Sequence, residues 1–242
     1  MIWTGIAAWM MVIVGFVSVR SEEVLCNRID VILDDTLSNR FVTASHIRQL
    51  LEQSGTSLQG YPLSQINIRM LEQKIEENPY ILNAEVSTDI SGRMEIRVEQ
   101  RKPLVRIMPS GARGYYLDSE GEVLPLAGHF TPHILLATGH IPDAGVESSG
   151  KVLEEIYRFC SYLEEHPFWK DQVVQIYVNR RGEYELIPRV GAHQILLGSM
   201  EHWEQKLSNL ELLYEQGLAR KGWNTYSTIN LKYTNQVICT KR

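Results

Sequence analysis

The sequence predicts an α+β protein in three parts: an N-terminal transmembrane helix (1–20), a small β-α-α-β-β domain (21–102) and a larger mixed α/β domain with an extended sheet (103–242). Three observations carry this. Residues 1–19 hold no ionisable side chain, residues 24–100 read strand, helix, helix, strand, strand, and residues 103–242 alternate short period-two runs with two long helical stripes. A chain of 242 residues has room for one large or two small domains beyond such a leader.

Composition removes several classes. With 44% hydrophobic and 22% charged residues the chain is neither disordered nor fibrous. A net charge of −5 argues against a dedicated nucleic-acid binder, so no nucleic-acid partner is expected. Cys26, Cys160 and Cys239 are odd in number and form no CxxC pair, which excludes a complete disulfide framework and a zinc knuckle. They read as free thiols, with one bridge left open.

The leader MIWTGIAAWMMVIVGFVSV would rise about 28 Å as a helix, close to the roughly 30 Å hydrocarbon thickness. Trp3 and Trp9 suit an interfacial end, and Gly5 and Gly15 are tolerated in lipid. A cleaved signal peptide would need a basic start, a shorter apolar run and a small-x-small site, which Val17-Ser18-Val19 does not supply. Arg20 is followed by Glu22 and Glu23, so charge alone does not orient the span.

In the first domain Val24–Leu33 reads as a strand. Thr43 or Ser45 caps a helix with Ile47, Leu50 and Leu51 on one face, and Gly55 stands where a left-handed terminator belongs. Asn67 caps a second helix with an Ile68, Leu71, Ile75 stripe that ends at Asn78-Pro79. Ala84–Ser87 and Met94–Gln100 alternate as strands around an Ile90-Ser91-Gly92 turn. Two helices on one face of a small mixed sheet follow, about 75 residues with one modest core.

This order, with Ile66-Asn67-Ile68, Asn78-Pro79-Tyr80-Ile81, Ala84-Glu85-Val86 and the exit Val98-Glu99-Gln100-Arg101-Lys102-Pro103, resembles a POTRA domain. More narrowly it resembles the POTRA domain of the FtsQ/DivIB family of bacterial cell-division proteins.

In the second domain, Leu104–Met108 and Gly114–Leu117 read as strands, with a hairpin turning at Ser119–Gly121. Ile134–Thr138 is an apolar strand. A helix from about Lys151 to Glu165 carries Leu153, Ile156, Tyr157, Cys160 and Leu163 on one stripe. Strands at Val173–Val178, Glu183–Ile187 and Gln194–Leu197 precede a helix over about Met200–Gln216, with Trp203, Leu207, Leu210 and Tyr214 inward and Gly217 as its stop. Thr228–Thr240 reads as one closing strand. The runs YYLDSEGEVLPL, LLATGHI, LLGSMEHWEQKLSNLELLYEQGL and STINLKYTNQVIC are similar to FtsQ/DivIB in the same order.

No GxSxG, P-loop, HExxH or GxGxxG is present. His129 and His133 are separated by Pro132, which opposes the helix that would align them as ligands. Asp118-Ser119-Glu120-Gly121-Glu122 is too short for a calcium loop and reads as a turn. A non-enzymatic chain without cofactor or metal is expected.

A binding role then rests on the closing strand, whose last position suits a sheet rim able to template an incoming strand. The resemblance implies a single-pass divisome scaffold of the cytoplasmic (inner) membrane, with residues after about 20 on the extracytoplasmic side. Its partners would be FtsB- and FtsL-like proteins, an FtsB segment adding to that strand in support of septum formation, with other division proteins met through the anchor and the POTRA domain; the membrane contact is residues 1–19. It implies partner binding by Arg181, Asn230, Lys232, Tyr233, Thr234, Asn235, Gln236, Val237 and Ile238. The family often has small residues where Asn235 and Gln236 stand and an aromatic near Cys239. The competing reading is a POTRA-containing polypeptide-binding, secretion or outer-membrane assembly factor.

Overall fold

A computed structural model describes Trp9, Met11 and residues 24–34, 40–53, 58–144 and 149–242. The anchor expected over 1–20 and the terminator Gly55 therefore lie essentially outside the described residues, among which no helix is long and apolar enough to cross a membrane. The chain divides into two compact units, 1–101 and 102–242.

The first unit contains β1 (Arg28–Leu33), α1 (Ala44–Gln53), α2 (Ile68–Glu76), β2 (Ile81–Thr88) and β3 (Arg93–Gln100). This is the expected order. β3 is central, parallel to β1 and antiparallel to β2. Met94, Ile96 and Val98 of β3 are fully buried, with Ile47, Leu51, Leu71 and Ile75 of the helices also in the core. Both caps form as the sequence indicates: the His46 N–H donates to Thr43 Oγ1 (3.3 Å) and the Met70 N–H to Asn67 Oδ1 (3.1 Å). β1 is shorter than expected, because at Leu25 and Cys26 the chain pairs with the Tyr61-Pro62 loop instead.

The second unit is one nine-stranded sheet. Its strands are β4 (Pro103–Pro109), β5 (Tyr115–Asp118), β6 (Val123–Pro125), β7 (Leu135–Gly139), β8 (Val173–Val178), β9 (Tyr184–Pro188), β10 (Gln194–Gly198), β11 (Tyr226–Asn230) and β12 (Ile238–Lys241). They lie in the order β12-β11-β10-β9-β8-β7-β4-β5-β6. Helices α3 (Ser149–Glu165) and α4 (Trp203–Leu213) meet where Phe159 and Tyr162 stack edge-on against Trp203. Gly217 does not stop α4: the helix passes through a π turn over Tyr214–Leu218 and ends at Gly222, whose φ of 96° only glycine adopts freely. All three cysteines are free.

Three hairpins share one turn. In Asp89–Arg93, Asp118–Glu122 and Asn179–Glu183 the first side chain accepts from the N–H groups two and four residues on, at 2.8–3.1 Å. Gly92, Gly121 and Gly182 sit three residues on, at φ of 87°, 84° and 72°. The pattern Asp/Asn-x-x-Gly is thus a local code for the turn: a short acceptor fixes the loop and glycine takes the left-handed step.

Candidate partner-binding edge

The C-terminal segment departs from expectation. Thr228–Thr240 is two strands joined by a loop, because β11 runs parallel to β10 and β12 folds back antiparallel on β11. The rim of β11 is therefore covered by the chain itself, and among the described residues the open rim is β12. Of the residues expected to bind a partner, Asn230 ends β11, Lys232, Tyr233, Thr234, Asn235, Gln236 and Val237 form the loop, and Ile238 opens β12. The parallel ladder to β10 ends with the Leu231 N–H on Leu196 O at 2.8 Å, and the chain breaks away just there because the Asn230 side chain turns back to accept from the Lys232 N–H at 2.9 Å.

Ile229 and Leu231 are fully buried, and Val237 and Cys239 pack partly buried against the same core. Between them Tyr233 is the one apolar residue of the same parity that is exposed, at 56%, while Ile238, of the opposite parity, is 44% exposed. The loop is pinned from below by Asn209 of α4, whose amide donates to Thr234 O at 2.9 Å. β12 pairs Ile238 with Asn230, Cys239 with Ile229 and Thr240 with Thr228, and Arg242 donates to Ala192 O at 2.6 Å. At the opposite end of the sheet β6 has three residues and finishes in Pro125, a poor template for pairing.

Arg181 and Lys232, far apart in sequence, come together around Glu183. The Lys232 ammonium is 2.7 Å from Glu183 Oε1, and Asn179 Nδ2 donates to Glu183 Oε2 at 3.1 Å. These two hydrogen bonds, aided by the charges of Lys232 and Arg181, hold the Glu183 carboxyl below its ordinary pKa. The Lys232 charge is therefore matched within the fold, whereas the exposed Arg181 guanidinium has no ion-pair partner among the described residues. Gly198, at φ 78°, makes room for the lysine stem: a Cβ there would stand 3.0 Å from Lys232 Cγ. Sequence reasoning missed Glu183, Asn179, Gly198, Asn209 and the β12 positions Cys239 to Lys241. Asn179 and Glu183 carried a signal, since Asn179-x-x-Gly182-Glu183 repeats the spacing of Asp118-x-x-Gly121-Glu122.

No group of three or more His, Cys, Asp or Glu able to hold a metal ion occurs among the described residues. The architecture is that of a protein that presents a sheet rim and a charged, aromatic loop: a small βααββ module followed by a nine-stranded sheet domain. Residues 24–99 match the POTRA-like domain, and residues 102–240 match the family described as FtsQ/DivIB, C-terminal related. The chain belongs to that FtsQ/DivIB-related family. It is 25% identical over 189 residues to the Cell division protein FtsQ of Rhodothermus marinus, covering 74% of this chain and 67% of the relative.

Proposed function

We propose that this protein is a non-enzymatic scaffold of bacterial cell division that takes a strand from an FtsB/FtsL-type partner on β12 and so supports septum formation. The observation that carries the reading is the position of β12: it is the last strand of a nine-stranded sheet, four residues long, with β11 on one side only. An incoming extended segment would continue the ladder, while exposed Tyr233 and Ile238 give it apolar purchase and Arg181 a charge for an acidic side chain. The family membership and the cell-division relative support the role. In the cell, residues 1–19 anchor the chain in the cytoplasmic membrane and the two units lie outside the cytoplasm.

The test is co-purification of partners from membranes with Cys239→Pro and Thr240→Pro. N–H groups alternate between the two sides of an antiparallel strand, so one of these prolines removes a donor from the open rim and the other from the ladder to β11. The rim-side variant should keep a native circular dichroism spectrum and lose its partner. Undiminished recovery of FtsB- and FtsL-type proteins with both variants refutes strand addition at β12. A reporter fused after Arg242 should be active only outside the cytoplasm.

A further inference from the structure

The three-stranded sheet of the first unit has two rims of its own, β1 and β2. The rim of β2 is occupied from within the fold. Glu72 and Glu76 stand one turn apart on α2, the helix that leads into β2. Glu72 Oε1 accepts the Val86 N–H at 2.9 Å, and Glu76 Oε1 accepts the Ala84 N–H at 3.2 Å. In an antiparallel ladder the N–H groups of one parity face the partner strand and those of the other parity face away. Ala84 and Val86 share the parity that faces away from β3, so the carboxylates take two of the outward donors that this rim would offer another chain.

The consequence is chemical as well as steric. A strand adding to β2 would bring its carbonyl oxygens to the Ala84 and Val86 N–H groups, where carboxylate oxygens already sit. A charged acceptor makes the stronger bond to those donors, and its negative charge repels an arriving carbonyl. We propose that Glu72 and Glu76 close the β2 rim against strand addition, and that without them β2 pairs with β2 of a second copy of this chain. The second copy is the fitting occupant because the sequence is self-complementary there. A two-fold antiparallel pairing centred on Val86 sets Glu85 opposite Ser87 and Ala84 opposite Thr88, so no like charges face each other. This closure is independent of what happens at β12.

The experiment is residue-resolved hydrogen exchange on the full chain in detergent micelles. It compares the wild type with Glu72→Ala/Glu76→Ala and with Glu72→Gln/Glu76→Gln, which keeps an acceptor oxygen at each position. In dilute solution the alanine pair should exchange the Ala84 and Val86 amides at least tenfold faster than wild type, with the Glu85 and Ser87 amides, which face β3, unchanged. As its concentration rises, those two amides should regain protection while sedimentation shows added self-association that the wild type lacks. Unchanged exchange at Ala84 and Val86 overturns the closure, and faster exchange with no concentration-dependent protection overturns the self-pairing. Should Glu85 and Ser87 also speed up, the sheet itself has loosened and the glutamine pair decides: protection kept at Ala84 and Val86 upholds the closure, and protection lost overturns it.

Discussion

Gly198→Ala tests how the backbone of β10 serves the loop beside it. Gly198 closes β10 at φ 78°, a region that costs an L-residue about 1–2 kcal/mol. The new Cβ would meet Lys232 Cγ at 3.0 Å but Lys232 Cα at 3.5 Å, an ordinary contact. The main chain can therefore stay while the lysine stem swings aside, carrying its ammonium away from Glu183. Gly121→Ala is the matched control: φ is 84°, yet its nearest neighbours are atoms of the Tyr157 ring at 3.7–3.8 Å, with no contact to the loop. Both variants should lower the melting temperature by about 2–8 °C, as the same strain would do in a domain of this size. Only Gly198→Ala should also weaken partner binding, by about two- to fivefold, the range for one exposed charged contact. Titration of purified partner peptide against both variants decides the matter. If Gly198→Ala binds no worse than Gly121→Ala, the placement of Lys232 has no part in recognition.

Two further outcomes concern stability. Gln100 is 2% exposed and clasps both backbone groups of Val42, accepting its N–H at 2.8 Å and donating to its carbonyl O at 3.2 Å; Gln100→Leu should cost about 2–4 kcal/mol in urea unfolding, because it strands both buried groups. His193 is buried with Nε2 2.8 Å from the Tyr214 hydroxyl, and burial above all, with the Arg242 charge, pulls its pKa below 6.5 against the opposing pull of the Trp223 backbone. The unfolded chain therefore takes up a proton before the folded one does. The contribution of His193 is full above pH 6.5 and is lost as the pH falls from there towards the folded value. Unfolding free energy measured at pH 7.5 and 5.5 should drop less in His193→Phe than in the wild type, and an equal drop places the acid sensitivity elsewhere.

Much of the first unit was legible because each local signal agreed with the tertiary result. Asn67 caps α2 as its position before Ile68, Leu71 and Ile75 indicates, and the alternation of Met94, Ile96 and Val98 gives the buried face of β3. The C-terminal segment was legible only in part. Period-two alternation runs through Ile229, Leu231 and Tyr233 without a visible break, yet the chain turns there. The loop begins where the ladder to β10 ends, at the Leu231 N–H, and is held by a long-range partner, Asn209 for Thr234 O, that no local pattern encodes. Gly217 misled for a related reason. A glycine late in a helix is a fair stop signal, but the π turn absorbs it and the helix ends at Gly222. The pairing of Lys232 with Glu183 lay equally out of reach, since it joins residues 49 apart in sequence.

The hairpin changes what the proposed recognition at this end of the sheet would require. A continuous strand would offer main-chain pairing and the basic-aromatic pair along one line. Here β12 supplies the main-chain rim, and the loop holding Lys232 and Tyr233 stands beside it. Four residues of pairing make a short ladder, so affinity would have to draw on side chains as well, and the exposed Tyr233 is the kind of aromatic anchor that contributes most. That contribution depends on the loop being in place before the partner arrives, because ordering it on binding would consume the gain. It is in place: Leu231 is tied to β10, Thr234 to α4, and Lys232 to Glu183 in a turn that Asn179 fixes. The interior contacts of the second unit and the shape of the proposed binding rim are in this sense one structure, so substitutions at Asn209 or Asn179 should act on the proposed recognition through the loop they hold.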